Sequence, residues 1–143
     1  MKIPPLYIFY ALLAAFFAAL VPIFGKLGLR DVDSTVATVI RAFIMFAFLF
    51  LVATATGKTN TAGFDHRALL FVTLSGVAGA LSWLFYFMAI KNGRTTAVIA
   101  IDKMSVALAM ILASLVLGGE RMDFKTAVGG AVLIVLGALL VSL

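Results

Sequence analysis

Asp102 and Lys103 stand side by side in a stretch that is otherwise almost wholly apolar from Val98 to Leu117. In lipid, each charge near a helix centre costs about 2.5–3.5 kcal/mol on insertion scales. A chain that keeps such a pair uses it, or satisfies it with partners. Arg41 is a third charge in an apolar stretch. The chemistry open to these side chains is that of solute and ion handling. A carboxylate such as Asp102 can carry a proton or hold a cation, Arg41 can serve as its charge partner, and Lys103 can contact a solute. Ser105, Tyr86 and Trp83 add polar and aromatic groups that could line the same cavity. Blander readings exist for most of them. Arg41 and Lys103 have stems long enough to snorkel to a membrane boundary, which Asp102 lacks. Trp83 and Tyr86 also fit an interfacial aromatic belt.

The elements that position these residues are long apolar helices. The chain has 143 residues, 64% hydrophobic and 12% charged, with a mean hydropathy of +1.21. That leaves too little polar residue to cover a soluble surface. About 20 apolar residues cross a bilayer, and five stretches qualify: 4–24, 35–55, 68–90, 95–117 and 126–143. The Lys2-led N-terminal stretch is too long for a signal peptide and reads as a retained helix. No alternating strand pattern competes with these runs. The expected fold is an all-α integral membrane protein of five transmembrane helices, forming a single domain over 1–143 in the cell membrane. Asp33 or Ser34 is the natural N-cap of the second span, and His66 falls in the long polar loop before the third.

Arg41 is six residues into the second span and Asp102 seven into the fourth, both counted from the same membrane side. At 1.5 Å per residue each lies about 10 Å below that boundary. Equal depth permits an Arg41–Asp102 pair. Lys103 is about 100° round the helix from Asp102 and points to another face. Arg41 shares its face with Ser34, Thr38 and Met45, and Asp102 shares its own with Thr95, Ser105 and Ala109. Ser75, Gly79, Ser82 and Tyr86 form a third stripe. Three polar stripes inside apolar helices suit a central aqueous cavity. If all three charges line it, one net positive charge favours an anionic or carboxylate-bearing solute. Ser75 with Gly79, and Gly130 with Gly137, have the spacing of small residues at close helix contacts.

Other chemistry is not supported. The chain lacks cysteine and has one histidine, so neither a thiolate nor a metal cluster is expected, and no cofactor motif is present. No nucleophile–base set or phosphate loop appears, which argues against an enzyme. The net charge of +5 comes from basic residues at segment ends rather than a patch, so nucleic acid is not the expected partner. Those flanking charges are close to balanced between the two membrane sides. Lys2, Lys58, Arg67, Arg121 and Lys125 face Lys26, Arg30, Lys91 and Arg94. A five-to-four split gives almost no orientation bias. Either a subtler feature sets one orientation, or the chain inserts both ways round and pairs antiparallel.

Several short motifs, in order, resemble the EamA-type proteins of the drug/metabolite transporter superfamily, in particular their half-size members. They include Gly25-Lys26-Leu27-Gly28, Ala37-Thr38-Val39-Ile40-Arg41, Leu74-Ser75-Gly76 and Ser82-Trp83-Leu84-Phe85-Tyr86. Ile101-Asp102-Lys103-Met104-Ser105, Leu117-Gly118-Gly119-Glu120-Arg121 and Gly129-Gly130 follow. One departure is an extra glycine before Glu120. The resemblance implies a secondary transporter of small solutes, with proton or other ion coupling open. Full-length relatives join two inverted five-helix repeats, so a chain with one repeat would rebuild that fold as an antiparallel homodimer. Two alternatives stand beside this one: a non-transporting accessory or scaffold subunit, and one half of a heterodimeric transporter.

Overall fold

Helix boundaries in this chain are set by a few polar residues at the ends of apolar runs. The computed structural model describes residues 6–60, 63, 65–116 and 124–142. These residues form α1 (Leu6–Gly28), α2 (Ser34–Ala55), α3 (His66–Asn92), α4 (Thr95–Asp102), α5 (Met104–Val116) and α6 (Phe124–Ser142). Among the described residues there is no strand. Pro4, Pro5, the Gly118-to-Asp123 connection and Leu143, which the expected spans and turns include, lie outside them.

The side chain of Asp33 starts α2 by accepting from the backbone N–H groups of Thr35 at 2.8 Å and Val36 at 3.2 Å. Two donors that a helix start leaves orphaned are thereby satisfied. At the other end Gly57 adopts φ +67°. Lys58 N–H then reaches back to the Ala53 carbonyl and Gly57 N–H to that of Thr54. That paired closure needs a left-handed residue, which glycine supplies without a Cβ penalty. Helix α3 begins earlier than the apolar run, because the Asp65 carboxylate and carbonyl take the His66 and Leu69 N–H groups. His66 is therefore the first residue of a helix and not part of the loop.

Four stretches are long and apolar enough to cross a membrane: Leu6–Gly28, Ser34–Ala55, His66–Asn92 and Thr95–Ala113. Val128–Ser142 is a shorter apolar helical stretch. The all-helical membrane class expected from composition is what the chain adopts. The fourth crossing differs from its expected form in one respect. It is two helices, α4 and α5, with Lys103 as a turn between them. Lys103 has φ −68° and ψ −12°, and the Val106 N–H bonds to its carbonyl three residues back. The hydrogen-bond ladder tightens at that step, which ends one helix and starts the next.

The chain divides into two compact units, Phe24–Lys91 and the combination of Met1–Ile23 with Asn92–Leu143. In the first, Leu29, Phe87 and Ile90 are buried, Ile90 completely. They gather where the end of α1 meets the end of α3. There Lys26 Nζ donates to the Ile90 carbonyl at 2.6 Å, and Lys91 Nζ donates to the Val32 carbonyl at 2.8 Å. Cations at helix C-termini also complement the macrodipole. In the second unit α6 packs against both α4 and α5. Pro22, Ala107, Ala131 and Ala138 are its buried side chains among the described residues, and Arg94 donates to the Ser142 carbonyl at 2.6 Å.

Candidate functional site

The most developed polar site among the described residues is built on α2 and α3. Thr38, Arg41 and Met45 recur at helical spacing on α2, as their sequence positions require. Arg41 Nε donates to Met45 Sδ at 3.5 Å. The guanidinium carbon lies 3.6 Å from the centroid of the Trp83 ring and 5.2 Å from that of Phe87. A planar cation over an aromatic face is a stabilising arrangement, worth about 2 kcal/mol or more when desolvated. Trp83 is braced in turn, with Tyr86 edge-on at 5.6 Å and Phe87 at 5.7 Å.

Phe87 is held from behind. A Cβ placed on Gly25 would come within 2.5 Å of its ring, so the absence of a side chain at Gly25 admits the ring. A line of contact therefore runs from α1 through Phe87 and Trp83 to Arg41. These groups border a cavity of about 300 Å³ lined by Thr38, Arg41, Ala42, Met45, Gly76, Gly79, Ala80 and Trp83. At Gly76 and Gly79 a Cβ would meet nothing within 4 Å. In the chain by itself Gly79 thus forms cavity wall. Ser75, on the same helix, is exposed.

The second group of charges lies at the α4–α5 break. Lys103 Nζ sits 3.2 Å from Asp102 Oδ2, with the lysine side chain 57% and the aspartate 32% exposed. Adjacent residues on a regular helix diverge by about 100°. The turn at Lys103 and the length of its stem bring the two charges together nonetheless. Ser105 follows on the first turn of α5 and is exposed. Asp102 and Arg41 belong to different units, and each has a partner within its own. A separate apolar cavity of about 370 Å³ lies between α5 and α6, with Ala107 and Ala131 in its wall. A Cβ at Gly130 would meet only the tip of Met110, at 3.8 Å, and one at Gly137 would meet nothing within 4 Å.

Sequence reasoning had Arg41, Trp83 and Tyr86 as candidates but missed Phe87. Its spacing of four from Trp83 puts it on the same helix face, which was the available clue. No group of three or more His, Asp or Glu able to hold a metal occurs among the described residues.

Comparison with known proteins is consistent with this architecture. The EamA-like transporter family matches residues 5–143. A protein of Sinorhizobium sp. named "Uncharacterized transporter in cobO 3'region" is 38% identical over 135 residues, which is 94% of each chain. No solved structure matches. Transport rather than catalysis is the role this similarity carries, and the cell membrane is the usual location for such multi-pass proteins. The chain belongs to the EamA-like transporter family.

Proposed function

We propose that this chain moves a small solute across the membrane by alternating access, working as an antiparallel homodimer. The α2–α3 cavity forms part of the solute path, and Asp102 at the helix break carries a coupling proton or other ion. One observation supports the solute site above the rest: a guanidinium stacked on an aromatic face at the wall of a cavity, inside two membrane-crossing helices. A charge kept at that depth is a functional group by default. The tightened turn beside it and the ion pair with Lys103 support Asp102, a carboxylate kept within a membrane-crossing stretch.

The homodimer rests on different grounds. The flanking Lys and Arg residues are almost balanced between the two sides, so insertion has little to choose between orientations. The most apolar stretches of α2 and α3 bury none of their residues within the chain, which leaves these faces for lipid and a partner. The absence of cysteine makes the test direct. A single reporter, Thr59→Cys in the connection after α2, is labelled in intact cells with an impermeant maleimide and again after permeabilisation. About half reacting from outside is the result expected of dual topology. Labelling from one side only refutes the antiparallel homodimer and calls for a differently oriented partner.

A further inference from the structure

We infer that Arg41 is a carboxylate clamp and that the α2–α3 cavity takes small monocarboxylates with an apolar body. This rests on the proposal that the cavity is part of the solute path. Stacking on Trp83 at 3.6 Å fixes the plane of the guanidinium. Its Nε–H is occupied by Met45, and the two terminal nitrogens make no hydrogen bond among the described residues, with the Tyr86 phenol the polar group that interacts with the charge. That leaves a fixed edge of parallel N–H donors, the geometry that receives a carboxylate through two bonds.

The rest of the wall decides how many charges the ligand carries. Ala42, Gly76, Gly79 and Ala80 are apolar or bare, and the Thr38 hydroxyl is already donating to the Ser34 carbonyl at 2.7 Å. Apart from the Trp83 indole N–H the wall offers no further donor, so a second carboxylate, or the extra charge of a phosphate, would be desolvated there with at most one neutral partner, which is costly. A cationic solute would face Arg41 itself. Size follows from volume. A space of about 300 Å³ takes a short apolar acid.

Trp83 is the sole tryptophan of the chain and reports on its own site. The protein in phosphatidylcholine nanodiscs is titrated with hexanoate and, separately, with hexanamide, and tryptophan emission is followed. Hexanoate should change the emission saturably and bind at least about ten-fold more tightly than the amide. Arg41→Lys keeps the charge but loses the fork, and should weaken hexanoate about ten-fold. Gly79→Leu, at a position with open space around its Cβ, should fill the cavity and abolish the response.

Equal affinity for acid and amide, or wild-type affinity in Arg41→Lys, overturns the clamp. Tighter binding of palmitate than of hexanoate also overturns it, in favour of a lipid site. If Arg41→Lys fails to fold, the acid–amide comparison on the unaltered protein still decides. The transport proposal fails separately: hexanoate binding by a protein whose Thr59→Cys labels from one side leaves the clamp standing without the homodimer. No hexanoate response from a protein labelled on both sides refutes the clamp alone.

Discussion

Asp33 shows how much a single side chain can set. Its carboxylate accepts from two backbone N–H groups at the start of α2, and the bond from Val36, then that from Thr35, holds its pKa below the ordinary value of 3.8. A lowered folded-state pKa stabilises the fold above the unfolded-state value, and that contribution disappears as pH falls through the folded-state one. Asp33→Ala should therefore lower the thermal midpoint at pH 7 by a few degrees. The gap from wild type should close as the pH is taken below the ordinary carboxylate range. Asp33→Asn, which still caps, should keep most of the stability at pH 7. Thermal scans in one detergent across a pH series check all three. The cap was legible in the sequence because Asp and Ser adjoin at the edge of an apolar run. Phe87 was not, because one phenylalanine among 13 carries no mark of its role.

At the level of elements, the apolar runs announced the helices, but two details escaped. The break at Lys103 leaves no trace in hydropathy, since a tightened turn needs neither proline nor glycine. Within the chain alone, the buried seam of α6 lies one residue from the small-residue stripe. Gly130 and Gly137 have the spacing of a contact stripe, yet Ala131 and Ala138, each 6% exposed, are the buried pair. Small residues lie in neighbouring registers, and a step of one residue turns the face by about 100°. Pattern alone cannot rank them. Ala138→Leu should overpack and destabilise by about 1–3 kcal/mol. Gly137→Ala, with nothing near its Cβ, should be neutral or stabilise by up to about 1 kcal/mol from helix propensity. Unfolding titrations in mixed micelles measure both. A loss of dimer in Gly137→Ala would place that stripe against a partner instead.

For the whole molecule, composition and span lengths conveyed the class, and ordered motifs conveyed the family. Solute and coupling ion do not follow from pattern, because they depend on where a few side chains converge. Asp102→Asn separates a transporter from a scaffold. It should leave helix content and assembly unchanged while abolishing ion-driven uptake in proteoliposomes, whereas a scaffold would lose its partner. Lys26, Lys91 and Arg94, three of the four cations of the connections around 25–33 and 91–94, each donate to a main-chain carbonyl. Cations satisfied by the protein's own peptide groups have little need of lipid phosphates. Such a surface sits equally well against an anionic inner leaflet or a neutral outer one, which is what the proposed insertion both ways round requires.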